Sequence, residues 1–462
     1  MPTSSQTNTV SQAPLKTRSQ FSSRLGFIIA AAGCAVGIGN IWSFPAQTAE
    51  NGGAAFVLVY LILSFVLAYP ALVAELTIGR YSQSNPVTAL QQLNPKPVWR
   101  RLGQLTGVSA VITITMIYSF YSIVAGWFIG FSLSPLLSTI GMDAAASWLT
   151  GFSTPPTLLL TLTFMILTTL IVTRGVKDGI ERWSNRLMPS LIILLLALII
   201  FALTRAGGME GLKVYLLPDF SRVFDSKLLI SALGQSFFSM SLGVGAMMVY
   251  GSYLNKKANI PTTAAHVAIL DSSVAFMAGL LVIPCMYAAM YQGIEIFSPE
   301  GVLYSSDKLV FTVLPALFQQ LGPVGQLVTI AFFLLLTIAA LTSSIAMLET
   351  PVSVLVEKVR FRRYRACWLV TSTAAVLSAA IIMNIDVLLP VVVKLITQYF
   401  MPILCLVTTI YCAWLIRQDR LLAEIREGFP DIESSLFWKI WPWYIRTICP
   451  LLIFLLVLNS FS

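Results

Sequence analysis

Four carboxylates stand where the sequence around them is almost wholly apolar. They are Glu75 in YPALVAELTIGR, Asp271 in AILDSSVAF, and Glu349 and Glu357 near the end of an apolar run that begins at about residue 322. An ionised side chain at membrane depth is costly, so such an acid marks an ion, proton or substrate path unless it is paired or reaches out to the interface. For Glu357, beside an Arg-rich stretch, the two readings are equal; Asp271, deep in its apolar run, points to a cation or a proton. A second set of oxygens lies in AALTSSIAM, where Thr342, Ser343 and Ser344 follow one another. These hydroxyls either bond back to the preceding helical turn or offer ligands to a hard cation. Backbone carbonyls could complete such a site. The chain offers them in GCAVGIGNIWSFP, Gly33 to Pro45, and again in SMSLGVGA, Ser239 to Ala246. Each Gly costs about 1 kcal/mol relative to Ala in a helix interior. One Gly-x-Gly would only permit close helix packing. Two Gly-interrupted segments at matching places in two halves of a chain point to broken helices around a transported ligand.

The elements that must position these groups are membrane helices. Apolar residues make up 57% of the chain and charged residues 11%, with mean hydropathy +0.82. Soluble domains carry about 25% charged residues. Apolar runs of membrane-crossing length recur: roughly 24–47, 54–78, 105–132, 156–174, 187–205, 228–253, 263–291, 322–357, 365–384, 388–416 and 441–460. Residues 1–20, Ser/Thr/Gln-rich, read as a disordered cytoplasmic tail. With the N-terminus cytoplasmic, most of the 29 Lys and Arg fall on the cytoplasmic side, the outer side keeping Arg205, Lys213, Arg222, Lys227, Lys308 and Lys394. The C-terminus is then extracytoplasmic. Leu309 to Phe318, apolar but too short to cross, reads as a lid-like re-entrant piece. Spans 1–5 (21–205) and 6–10 (206–417) form two units of five, necessarily of inverted topology, and 418–462 adds a loop and an eleventh span. The net charge of +9 belongs to cytoplasmic loops and does not suggest nucleic acid. The six cysteines have no metal spacing and read as packing residues. A single histidine, His266, disfavours a His-ligated metal or a Ser-His triad. No phosphate loop suggests ATP drive, and no nucleophile–base pair suggests an enzyme.

These residues resemble the neurotransmitter:sodium symporters, over nearly the whole chain. The matches are RLGF with GCAVGIGNIWSFP, AENGGAAF, YPALVAELTIGR, Tyr121 and Trp127, GVKDGIERWSNRLMP, GQSFFSMSLGVGA and LTSSIAMLE. The resemblance implies an all-α inverted five-plus-five fold with helices 1 and 6 broken, and two sodium sites. One sodium would take the Ala35 carbonyl, Asn40, Ser239, Asp271 and the carboxylate of an amino-acid substrate. The other would take carbonyls of Gly33, Val36 and Ala339 with the hydroxyls of Thr342 and Ser343. The substrate carboxylate would meet the amides of Ile38 and Gly39 and the Tyr121 hydroxyl. Its ammonium would meet carbonyls at Ala35 and Phe238 and the Ser241 hydroxyl. Ile117, Phe238, Val244, Ser343 and Met347 would line the side-chain pocket, with Cys34 and Ser239 beside it. Arg18, Phe21 and Glu357 would form the inner gate, Tyr121 and Phe238 the lid. Glu75 would accept amides freed at the span 6 break.

Departures from the family pattern sharpen the reading. Monoamine carriers of the family have an Asp where this chain has Gly37, so the substrate here brings its own carboxylate. The apolar pocket favours a neutral hydrophobic or aromatic amino acid. Tyr60, Gln235 and Ser239 match chloride-binding side chains of animal members, but Ala275 replaces the fourth and Asp271 replaces an Asn one turn earlier. A fixed carboxylate there implies transport without chloride. Ser43 stands in place of the outer-gate Arg, and the acidic partner of that Arg is absent too, with Val393 or Lys394 near its place. Eleven spans rather than twelve suggest a prokaryotic carrier in the bacterial inner (plasma) membrane. Proton coupling through Asp271 or Glu75, and a membrane sensor that binds an amino acid without carrying it, are the alternatives. Oligomeric state is not legible.

Overall fold

The computed structural model describes residues 18–297 and 309–460, and every regular element among them is helical. Most of the stretch read as a tail, residues 1–17, lies outside them. Eight helices are long and apolar enough to cross a membrane alone: Ala54–Ser82, Pro97–Thr139, Thr154–Thr173, Val176–Leu203, Ile260–Tyr291, Pro323–Glu357, Arg363–Met383 and Ile385–Leu415. Two more crossings are bent pairs, Arg24–Ala35 with Gly39–Glu50 (57°) and Leu436–Tyr444 with Ile448–Ser460 (40°). The helices Ser226–Ser239 and Ala246–Ser252, separated by an unwound Met240–Gly245, stand where the sequence reads the sixth span. Taken in chain order these are spans 1 to 11. Apolar side chains such as Ile193, Ile200 and Val376 stay exposed, as lipid-facing residues must.

Two spans are longer than the sequence reading allows. Span 3 covers 43 residues, Pro97–Thr139, rather than 105–132. Span 5 begins at Val176 rather than 187, because GVKDGIERWSNR is itself helical. Charge marks the end of an apolar run, not the end of a helix. Pro97 at the start of span 3 has no N–H to leave unsatisfied.

Prolines explain a second feature. Four of the six π turns among the described residues, Gly39–Ser43, Ser64–Ala68, Leu309–Val313 and Leu395–Phe400, are each followed two residues later by a proline: Pro45, Pro70, Pro315 and Pro402. Proline lacks the N–H of an i→i−4 bond and its ring presses on the carbonyl of the previous turn; a wider turn relieves both. Pro45 therefore lies inside the second half of span 1. The break itself is confined to Val36–Ile38.

The break in span 6 is deeper. Gly243 (φ +86°) and Gly245 (φ +80°) adopt a region that L side chains rarely enter. Glu75, buried in span 2, accepts the freed Gly243 N–H at 2.6 Å, which supplies the partner that lipid cannot. On the face rich in Lys and Arg, hereafter the basic face, the buried Arg80 donates to Glu424 at 2.7 Å and to the carbonyls of Lys256 and Ala258, while Lys256 meets Glu424 at 2.8 Å. This cluster ties span 2 to the 6–7 loop and to the helix Gln418–Arg426.

Candidate functional site

The two breaks face each other across a small cavity of about 30 Å³. Span 1 contributes Cys34, Ala35, Gly37, Ile38 and Gly39; span 3 Ile114, Ile117 and Tyr121; span 6 Phe238, Ser239, Ser241, Val244 and Ala246. Span 8 adds Ser343 and Met347, and span 10 adds Met401. All twelve residues that the resemblance assigns to substrate thus surround one space. Ile114 and Ala246 escaped the sequence reading as apolar residues among many, and so did Met401, which comes from a span with no part in it. The Ile38 N–H donates to the Tyr121 hydroxyl at 3.2 Å. Ser241, at φ +52°, donates to the Cys34 carbonyl at 3.4 Å. A Cβ on Gly37 would lie 2.5 Å from Ser343 Oγ and 2.7 Å from the Tyr121 hydroxyl, so this position is glycine because two polar groups crowd it.

Asp271 lies behind Ser239 of the cavity wall and has no exposed surface. Its Oδ1 accepts from Asn40 Nδ2 at 2.8 Å and its Oδ2 from Ser239 Oγ at 2.7 Å. Ser239 in turn accepts from Asn40 Nδ2 at 2.9 Å and from the Tyr60 hydroxyl at 3.3 Å. The Asn40 Oδ1 accepts the Gly37 N–H at 3.0 Å, so the same side chain holds the span 1 break and reaches the acid of span 7. Gln235 does not join this group, contrary to the expected anion-site grouping. Its Nε2 donates to the Gly39 carbonyl and its Oε1 accepts from Ser43, both at 2.9 Å. Ser43, which stands where the resemblance implies an Arg, gives Gln235 a donor on span 1, and both ends of the amide are taken there.

The second oxygen cluster lies between spans 1 and 8. Thr342 Oγ1 is 2.9 Å from the Ala339 carbonyl and 3.5 Å from that of Val36; Ser343 Oγ is 2.8 Å from the Val36 carbonyl and 3.3 Å from that of Gly33. Three carbonyls and two hydroxyls converge, an uncharged all-oxygen set suited to a hard monovalent cation. Among the described residues no group of three or more His, Cys, Asp or Glu could hold a metal ion. The third hydroxyl, Ser344, turns away to Thr168 at 2.9 Å.

The basic face is shut over this site. Arg18 pairs with Glu357, which also accepts from the backbone and side chain of Asn85, and the Arg18 guanidinium lies 4.7 Å from the centre of the Tyr253 ring. Phe21 packs edge-on against Phe27, Tyr250 and Tyr253, and its N–H donates to the Tyr253 carbonyl at 3.3 Å. Glu349, read as a candidate acid at membrane depth, is a paired one: it meets Arg363 and accepts from the Tyr253 hydroxyl at 2.6 Å. Arg18→Ala is expected to weaken closure by about 1–2 kcal/mol, a factor of roughly 5–30 in the open population. Hydrogen exchange at residues 21–26 reads this directly, and unchanged exchange would show that the pair does not hold the face shut.

The opposite face carries a vestibule of about 1270 Å³ whose floor is the cavity's own wall, Ile38, Gly39, Tyr121, Phe238 and Met401. Val393 and Lys394 line it, with Asp386, Ser43 and Gln235. Phe311 of the helical piece Leu309–Gln319 also lines it and inserts among Trp42, Trp127, Phe128, Phe131 and Phe152, with ring centres 5.2–5.8 Å away. The residues between 297 and 309 of the loop read as a lid lie outside the described residues.

Comparison with known proteins places this geometry. The family model of the sodium:neurotransmitter symporter family matches residues 18–151 and 142–462. An uncharacterized sodium-dependent transporter of Bacillus subtilis, YhdH, is 33% identical over 455 residues, covering 95% of this chain and 97% of the relative. An uncharacterized sodium-dependent transporter of Haemophilus influenzae is 31% identical over 463 residues, covering 96% and 98%. The crystal structure of MhsT in complex with L-phenylalanine superposes with a TM-score of 0.81 at 34% identity, over 96% of this chain and all of that one.

Proposed function

Since the chain belongs to the sodium:neurotransmitter symporter family, we propose that it imports a neutral, hydrophobic or aromatic amino acid on a sodium gradient, without chloride. One observation carries the reading. A small cavity lies between two oxygen clusters, and both clusters draw on the break in span 1. Ligand and cations that share one strip of freed backbone stabilise the same arrangement of it, which is thermodynamic coupling.

In this reading the substrate carboxylate docks on the amides of Ile38 and Gly39, where a half-helix begins and its dipole favours an anion, with the Tyr121 hydroxyl beside it. Carbonyls of Ala35 and Phe238 and the Ser241 hydroxyl take the ammonium. Ile117, Phe238, Val244, Ser343 and Met347 surround the side chain. One sodium lies among the Ala35 carbonyl, Asn40, Ser239, Asp271 and the substrate carboxylate; the other lies among Gly33, Val36, Ala339, Thr342 and Ser343. Ser239 donates to Asp271 and accepts from Tyr60, and the charge of Asp271 stands in for an external anion. Two repeats, 21–205 and 206–417, rock against each other, with 418–462 outside the symmetry. The open vestibule and the closed Arg18–Glu357 face support entry of the substrate from the side opposite the basic face. By the positive-inside rule that side is the exterior of a prokaryotic plasma membrane, with the N-terminus cytoplasmic and the C-terminus outside.

The test is uptake of labelled neutral amino acids into proteoliposomes under an imposed sodium gradient, then under a proton gradient alone. Sodium-driven accumulation of a hydrophobic amino acid supports the symporter. Accumulation driven by protons alone would transfer coupling to Asp271 or Glu75, and binding without accumulation would favour a sensor. Replacing external chloride with gluconate is expected to leave sodium-driven uptake within about twofold; a loss of tenfold or more would refute chloride independence.

A further inference from the structure

Met401 connects three features of the site. Its side chain is buried, yet it lines both the vestibule and the small cavity. The other four residues common to both spaces, Ile38, Gly39, Tyr121 and Phe238, come from the broken helices and span 3; Met401 alone comes from span 10. The π turn Leu395–Phe400 ends immediately before it, and an inserted residue of that kind re-aims the side chains that follow. Its position is also tied to the break in span 6. A Cβ on Gly243 would lie 2.6 Å from the Met401 carbonyl and 2.7 Å from the Cys405 nitrogen, so the span 10 backbone lies directly on the unwound segment.

A cavity of about 30 Å³ has room for a water or two, far less than a Leu or Phe side chain requires. Some of the wall must therefore move when an amino acid enters. Ile117 and Val244 are branched and stiff. The long, torsionally free members of the wall are Phe238, Met347 and Met401, and a methionine adapts to irregular volume better than any other apolar residue. Met347 belongs to span 8; Met401 stands on the vestibule side, where the substrate enters. We infer that Met401 is a specificity-determining residue, whose displaceable thioether sets which side-chain sizes can be enclosed as the site shuts. The inference rests on the proposed amino-acid site and adds span 10 to it.

The experiment uses the full chain in proteoliposomes, with sodium present, and measures equilibrium binding of tritiated L-leucine, L-phenylalanine and L-tryptophan. Met401→Ala enlarges the wall and is expected to raise the tryptophan-to-leucine affinity ratio about tenfold; Met401→Phe is expected to lower it by a similar factor. Met401→Leu, similar in volume, should restore the parent ratio, which guards against a folding defect in the other two. Equal changes for all three ligands, or no change, would overturn the inference while leaving the transport reading intact. Parent protein that binds none of the three would overturn that reading and the inference with it.

Discussion

Asp271→Asn is expected to raise the sodium concentration for half-maximal uptake by about two to three orders of magnitude, because a buried cation would lose the only charge that the protein itself supplies to it, at a cost of about 3–5 kcal/mol. The substitution keeps shape and removes charge. Asp271 has no exposed surface, and both of its oxygens accept hydrogen bonds, from Asn40 and from Ser239. An amide there can accept on one side only, so Asn40 or Ser239 must also turn. Ser239 already accepts from Tyr60 and Asn40, which leaves its own proton little choice of direction. Sodium titration of uptake measures the effect, and sodium-dependent thermal stabilisation of the purified protein measures it without transport. Chloride is expected to recover part of the loss in the variant and to do nothing for the parent, since an anion beside Tyr60 and Ser239 would return the missing charge. A variant with parental sodium dependence would remove Asp271 from the cation site. A variant that keeps sodium-driven uptake but loses proton-driven uptake would make it a proton carrier.

The broken spans were legible because they break a rule with a known cost. Glycines clustered inside an apolar run are unfavourable for a helix, and the two clusters stand at matching places. The hydroxyls of Thr342 and Ser343 were legible for the same reason, as polar atoms where lipid tolerates none. What escaped was pairing. Arg80 and Glu424 are 344 residues apart and meet only once the 10–11 loop has folded under span 2. Glu349 looked like a free acid because its partner, Arg363, stood among loop arginines that the sequence assigned to orientation alone. Gln235 matched an anion-site residue by type, but a primary amide goes where donors and acceptors await it, and Ser43 with the Gly39 carbonyl offered both. Met401 had no signal. An apolar residue in an apolar span is defined by register, and a π turn just before it shifts that register.

Gly37→Ala is expected to abolish measurable uptake, a loss of about two orders of magnitude or more when overpacking (1–3 kcal/mol) and displaced hydrogen bonds to charge (1.5–3 kcal/mol) are taken together. The added methyl would lie 2.5 Å from Ser343 Oγ and 2.7 Å from the Tyr121 hydroxyl, distances at which something must shift. Neither neighbour is a spare side chain. Ser343 holds the carbonyls of Val36 and Gly33, the oxygens proposed for one sodium, and Tyr121 holds the Ile38 N–H, proposed for the substrate carboxylate. One carbon therefore presses on both halves of the coupling, and sodium-dependent stabilisation should fall along with amino-acid binding. Gly37→Asp separates the two effects. Its carboxylate would occupy the place proposed for that of the substrate, so L-phenylalanine binding should disappear while phenethylamine, the same molecule without a carboxylate, gains affinity relative to the parent. Equilibrium binding of the two labelled compounds to parent and variant decides the matter. If the aspartate variant rejects both ligands yet remains folded and sodium-responsive, the carboxylate does not dock at the span 1 break, and the substrate must lie with its polar end toward span 6.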